Sequence, residues 1–393
     1  MVTSAKKTRP TRVILPRPQT VVEVNLSAIQ SNAQAARKLL SSKTHMMAVV
    51  KANAYGHVLL RVAEALSTPR LTDSFGVASL EEGIALRNFG ITLPILVLGP
   101  TRPEDAPLVS RYNLAQTVYT KPLAEALARA GRRAKEPVRV HLKADTGMGR
   151  YGLWHEQAVS FAKWIRKQRG VLMEGFFTHL SSTESDRSFT VRQLQIFQGL
   201  VAELERNGIH VPLKHVANSM GLLSYPEAHW DMVRPGLMLY GVCPKPGWKP
   251  PVSLKPALRW KSHVAFIKPT PSGRTISYGK THTTSRATRI ATVPVGYANG
   301  YPRSLSNQAE VLIRGKRMPV VGRITMDHLM VDARSYRGVR AGDAVTLLGK
   351  DRGVTISADE LAVKAKTISY EILCGISPSI SRRYPKPRNS RAR

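Results

Sequence analysis

Between Thr20 and Gly236 the chain repeats one arrangement: a short apolar run, often rich in β-branched residues, then a longer segment whose apolar positions recur at helical spacing. The runs are Thr20 to Val24, Met47 to Lys51, Phe75 to Ala78, Pro94 to Leu98, Ala115 to Val118, Val138 to Leu142, Glu174 to Thr178, Leu213 to Val216 and Met232 to Gly236. Strands apolar on both faces and alternating with helices require a parallel sheet covered by helices. A count of about eight over roughly 230 residues predicts an α/β chain whose N-terminal part is a (β/α)8, TIM-like barrel. In this reading Thr20 to Val24 and the helix after Asn25, a candidate N-cap, form the first βα unit. Ser79-Leu80-Glu81-Glu82 has the form of a capping box opening another helix.

Past about Pro251 the texture changes. Short alternating runs separated by Gly, Pro and Asn follow one another: Ala257 to Ile267, Arg289 to Val295, Ala309 to Ile313, Met318 to Ile324, Leu329 to Asp332 and Ala344 to Leu348. They predict a C-terminal, mostly-β domain interrupted by a single helix at Ala358 to Ile368. The expected organisation is a basic arm (1–18), a barrel (19–252), a β domain (253–384) and a basic tail (385–393).

At 393 residues the chain exceeds what one core organises, which agrees with two domains. Its net charge of +33, from 59 Lys+Arg against 26 Asp+Glu, is dispersed. The dense basic segments are the ends, Lys6 to Arg17 and Arg382 to Arg393, both broken by Pro and small polar residues like flexible tails. The charge therefore reads as a solubility or anion-attracting feature, and nucleic acid is not the expected partner. Cys243 and Cys374 cannot build a disulfide framework and have no metal-ligand spacing around them. Val13-Ile14-Leu15 is too short for a signal peptide, and no window reaches a membrane span, so the expectation is a cytoplasmic protein with no membrane contact and no metal.

Barrels mount chemistry at the C-terminal ends of their strands, which is where Lys51, Lys143, His179, Ser219 and Arg234 fall. Met47-Ala48-Val49-Val50-Lys51 reads as a buried strand ending in an ammonium, with Tyr55 just beyond. Desolvation lowers a lysine pKa, and a neutral amine attacks carbonyls, which is the route to a Schiff base with an aldehyde cofactor. Lys143-Ala144-Asp145-Thr146-Gly147-Met148-Gly149-Arg150 is a Gly-rich turn projecting Arg150, whose fork matches a carboxylate. His215-Val216-Ala217-Asn218-Ser219-Met220 and Val233-Arg234-Pro235-Gly236-Leu237 offer a hydroxyl and free amides to a phosphate at the late barrel strands. Read on residue type alone, Ser219 is a helix cap, Arg234 a surface arginine, Tyr278 a strand aromatic and His179 a satisfied strand-end histidine.

The literal strings say more. Met47 to His57, Lys143 to Arg150, Phe177-Thr178-His179, His215 to Met220, Val233 to Gly241, Ile276-Ser277-Tyr278-Gly279, Val295 to Pro302, Gly322 to Asp327 and Ile368-Ser369-Tyr370-Glu371 occur in the order found in alanine racemases, and the chain closely resembles that family over residues 19–384. The resemblance implies pyridoxal 5'-phosphate (PLP) bound through Lys51, with Tyr55, Ser219, Gly236, Leu237 and Tyr370 at its phosphate and Arg234 at its ring nitrogen. It makes Arg150 the carboxylate anchor and Lys143 a possible carbamylated lysine. It gives Lys51 and Tyr278 as two opposed bases, with His179 assisting the tyrosine. The tyrosine reaches a neighbouring subunit, so a homodimer with composite sites is implied, and Tyr297, Met326 and Asp327 lie near the substrate. D-alanine for peptidoglycan is the implied product use.

An arginine, with a free pKa above about 12, does not readily protonate the ring nitrogen, which suits an enzyme that only removes and returns a proton. Departures from the pattern are Val58 for a usual glycine, Asn299 for a usual aspartate, and Ser379 and Ser381 for larger residues. A broad-specificity racemase of the same fold is the alternative. A barrel decarboxylase lacks support, since no run of glycines and no cysteine beside Tyr278 is present. A non-catalytic PLP carrier would not need the β domain.

Overall fold

The computed structural model describes residues 18–385, and the basic arm and tail lie outside the described residues apart from Pro18 and Pro385. Eight parallel strands close into a barrel in the order Ala115–Val118, Ile95–Val97, Ser74–Val77, His45–Val49, Met232–Val233, Leu213–His215, Val171–Phe177 and Val138–Asp145, which pairs back to Ala115–Val118. Four of them, Ser74–Val77, Ile95–Val97, Ala115–Val118 and Met232–Val233, are buried from end to end, because helices cover the outside and side chains fill the inside.

The run at Thr20 to Val24 is not a barrel strand. Val21–Val24 pairs antiparallel with Leu258–His263 and parallel with Ser381–Arg383, inside the main sheet of the β domain. Its burial alternates, Val22 and Val24 at 0% exposure and Val21 and Glu23 half-buried, as a strand with one wet face does and a barrel strand does not. The first described strand thus belongs to the second domain, and the chain enters the first at Leu26–Arg37, where the Asn25 side chain accepts the Ala28 amide as an N-cap. Arg382 and Arg383 belong to that same sheet, so the C-terminal basic stretch begins as ordered strand.

The β domain holds this sheet, a three-stranded sheet of Phe266–Thr270, Thr288–Val293 and Leu329–Asp332, and a small hairpin of Thr275–Ile276 and His282–Thr283. Two helices occur where one was expected, Ala358–Ala365 and Ser369–Cys374; the left-handed Lys366 ends the first, and the second packs on the turn after Lys51. No helix among the described residues is long and apolar enough to cross a membrane.

One buried side chain ties the first barrel helix to the link between domains. Asn32, at 0% exposure, donates to the carbonyls of Leu239 (3.0 Å) and Lys255 (2.9 Å) and accepts the Lys255 amide at 2.8 Å. Asn32→Ala strands these buried groups and should lower stability by about 2–4 kcal/mol, read as an earlier chemical-denaturation midpoint; an unchanged midpoint would show the knot to be dispensable.

Candidate active site

One cavity of about 690 Å³, open to solvent, sits at the C-terminal mouth of the barrel. Lys51, Tyr55, Lys143, Arg150, His179, Ser219, Arg234, Gly236, Leu237 and Tyr370 line it, so residues read from six separate strings converge.

Lys51 follows the strand His45–Val49 and opens a turn of unusual hand. Ala52, Asn53, Ala54 and Tyr55 all have φ of +53°, a left-handed helical turn built without glycine. Such a conformation costs about 1–2 kcal/mol per residue, so tertiary contacts must hold it. Ala54 donates to Val50 O at 2.8 Å, the His57 Nδ1–H reaches Tyr55 O at 2.9 Å, and the Tyr55 ring packs at a tilt against those of Tyr240 and Tyr370. Gly56 lets the Leu373 carbonyl approach to 2.5 Å of where a Cβ would stand. Val58, the departure from the usual glycine, itself bears φ of +73°.

Burial lowers the Lys51 pKa, and Arg150 and Arg234 add to the effect while Glu82 opposes it. Lys143, buried between the rings of Tyr151 and Phe177, is brought down to about 8 by burial first and then by Arg150 and Arg234. The Arg150 turn is shaped by Asp145, whose carboxylate accepts the amides of Gly147 (2.8 Å), Met148 (2.7 Å) and Arg150 (3.2 Å). Burial alone would raise the Asp145 pKa, and these amides outweigh it. Among the described residues Arg150 makes no ion pair and is left to face the cavity.

Ser219 and Arg234 are not what residue type suggests. The cap of the helix Ser219–Ser224 is Asn218, which accepts the Gly221 amide, while the Ser219 Oγ accepts the amides of Gly236 (2.9 Å) and Met238 (3.3 Å). Having accepted two amides, the hydroxyl keeps its proton to donate to an anion. Gly236 leaves room there: a Cβ would stand 2.4 Å from the Tyr55 hydroxyl. These groups fit a phosphate, and the adjacent lysine fits an aldehyde.

Arg234 is buried, not on the surface. Its Nη2 donates to the carbonyls of Thr178 (2.8 Å) and Val216 (2.9 Å), and its Nη1 donates to His215 Nδ1 at 2.7 Å. Burial pushes its pKa to about 9, which leaves it charged at neutral pH. Because arginine only donates, His215 must carry its proton on Nε2, facing His141 Nδ1 at 2.8 Å, and His141 must donate from Nε2 to Glu174 at 3.1 Å. A directed chain thus crosses the barrel interior from Arg234 to Glu174. His179 is likewise held neutral, by burial first and then by Arg234, Arg150, Lys143 and Lys51.

His141, Asp145, Glu174 and His215 were not singled out from the sequence. The signal was there: His141 and Lys143 share the inner face of one strand at a spacing of two, and Asp145 and His215 lie inside the strings quoted above.

Tyr278, Tyr297, Met326 and Asp327 do not line this cavity. They gather elsewhere on the β domain. Tyr278 rides the tip of the hairpin, where Ser277 bonds the Arg323 carbonyl, and Tyr297 and Ala298 donate to Thr325 O and Met326 O. Tyr278 is 72%, Met326 55% and Tyr297 43% exposed. Asn299 makes the one hydrogen bond an aspartate would, accepting the Gly296 amide, without the charge.

A family model described as alanine racemase, N-terminal domain, matches residues 24–244, and one described as alanine racemase, C-terminal domain, matches 257–384. The chain belongs to the alanine racemase family. A protein named alanine racemase from Symbiobacterium thermophilum is 47% identical over 366 residues, 93% of this chain and 97% of its own. One from Halothermothrix orenii is 42% identical over 93% of this chain and 96% of its own. The crystal structure of alanine racemase from Bacillus anthracis with bound L-Ala-P superposes with a TM-score of 0.88 at 35% identity, covering 95% of this chain and 96% of that one. Membership makes the chain an isomerase that interconverts L- and D-alanine, and it implies PLP as the cofactor.

The directed chain makes a prediction independent of activity. Side-chain ¹⁵N spectra should show His215 neutral and protonated on Nε2 from pH 8 down to about 6, since burial keeps it well below the ordinary histidine value. A proton on Nδ1 of His215 would contradict the arrangement.

Proposed function

We propose that the cavity holds PLP on Lys51 and that a second copy of the chain completes it. Alanine is then racemised between two bases, Lys51 of one subunit and Tyr278 of the partner subunit. The reading rests on how the residues sort: the cofactor set lines the barrel mouth, while Tyr278, Tyr297, Met326 and Asp327 share an exposed face elsewhere. Large apolar side chains exposed together mark an interaction surface.

PLP, when bound, supplies the electron sink that makes the α-proton of alanine removable. Lys51, with its lowered pKa, takes or returns that proton on one face as a neutral amine. Arg150 pairs with the alanine carboxylate. Ser219, Gly236, Leu237, Tyr55 and Tyr370 hold the phosphate, and Arg234 donates toward the ring nitrogen while remaining charged. Lys143, partly neutral near pH 8, is set to take up carbon dioxide, and a carbamate there replaces a cation that repels Arg150 with an anion that holds it. His179, being neutral, acts on Tyr278 of the partner subunit as a hydrogen-bonding group. Tyr370, walling the cavity, favours alanine over larger substrates, as expected of an enzyme making D-alanine for peptidoglycan in the cytoplasm.

Tyr278→Phe removes one base and leaves the other. Exchange of the α-proton with deuterated water should fall by about a hundredfold or more from one enantiomer and far less from the other. Equal, undiminished exchange from both would end the two-base reading.

A further inference from the structure

Glu82 sits in the first turn of the helix Leu80–Asn88, at the end of the barrel strand beside that of Lys51. The Ser79–Glu82 signature predicts a capping box, and half of it forms: Ser79 Oγ accepts the Glu82 amide at 3.4 Å. The other half does not. The Glu82 carboxylate turns away from the cap, accepting the Asn53 amide on Oε1 at 3.2 Å and the Ala78 amide on Oε2 at 2.9 Å. It therefore clasps the chain leaving two adjacent parallel strands, and one of its partners is in the middle of the left-handed turn. Asn53 continues the clasp, its Oδ1 accepting the Leu59 amide at 2.8 Å at the start of the next helix.

The charges around Lys51 are unbalanced. Arg150 from its Gly-rich turn and Arg234 from the barrel interior act against a protonated amine, and Lys143 shares the cavity. Glu82 acts the other way. The site's other acid, Asp145, has its oxygens engaged by the Arg150 turn.

We propose that Glu82 is a positioning residue for Lys51: its carboxylate pins the left-handed turn that aims the amine into the cavity and balances the positive charge gathered there. This rests on Lys51 being the lysine that holds PLP. Glu82→Gln keeps an oxygen for one amide and removes the charge. Losing an anion disfavours the protonated form, so the pH at which the visible absorbance of the PLP-loaded protein changes should move down by about 0.5–1 unit. The acid limb of kcat/KM for alanine should move the same way. Glu82→Ala loses the clasp as well and should release PLP several-fold faster on dilution. Glu81→Gln, at the exposed neighbour, should match the parent in both.

Should Glu82→Ala fail to fold, the Glu82→Gln titration decides alone. A Glu82→Gln protein that titrates at the parent's pH, with borohydride still fixing PLP to Lys51, overturns the proposal. Borohydride label on another lysine instead overturns the cofactor assignment beneath it.

Discussion

Lys51, Lys143, Arg150 and Arg234 line one cavity, and burial first, then repulsion from the two arginines, shapes the chemistry of both lysines. Burial removes the water that would screen them, so both lysines lose proton affinity and Arg234 is brought down to about 9. Two depressed amines and two persistent guanidinium groups suit a doubly anionic load: a phosphate at one end and a carboxylate at the other. Burial first, and Arg234 after it, keeps His179 and His215 neutral, although both lie where a proton relay would otherwise be assumed. Acid should therefore weaken the fold. Unfolded histidines take up protons near pH 6.5 while buried His57, His179 and His215 resist, so the unfolded state binds more protons and stability falls as pH drops through that value.

The barrel makes this crowding affordable in geometric terms by dividing the support among many strands. Arg234 is held by carbonyls of Thr178 and Val216 and by His215, all from neighbouring strand ends. Arg150 is held through Asp145 and Lys51 through a left-handed turn clasped from the next strand. Backbone carbonyls hold the Arg234 guanidinium directly, and the turns that carry Arg150 and Lys51 are held by carboxylates that accept their backbone amides. None depends on a mobile partner side chain alone.

The local strings disclosed the cavity, and periodicity disclosed the barrel, because both are short-range patterns. What escaped were relations between distant segments. Val21–Val24 reads locally as the start of a barrel, yet its partners are Leu258–His263 and Ser381–Arg383, and Thr20 bonds the Lys261 carbonyl across the whole first domain. Glu82 fits a capping box until the left-handed turn competes for its carboxylate, and that turn has no glycine to announce it. Arg234 looks like a surface residue because burial of a guanidinium depends on three acceptors that only the closed sheet assembles.

One half of the proposed chemistry lies at the barrel mouth and the other on an exposed face of the β domain, so the proposal requires two chains to meet. Mixing two separately inactive proteins, Lys51→Ala and Tyr278→Phe, under conditions that let subunits exchange tests this directly. Hybrid dimers would contain one site with both bases intact, and racemisation should return as exchange proceeds. Persistent inactivity in a mixture shown to contain hybrids would mean that both bases come from the same chain.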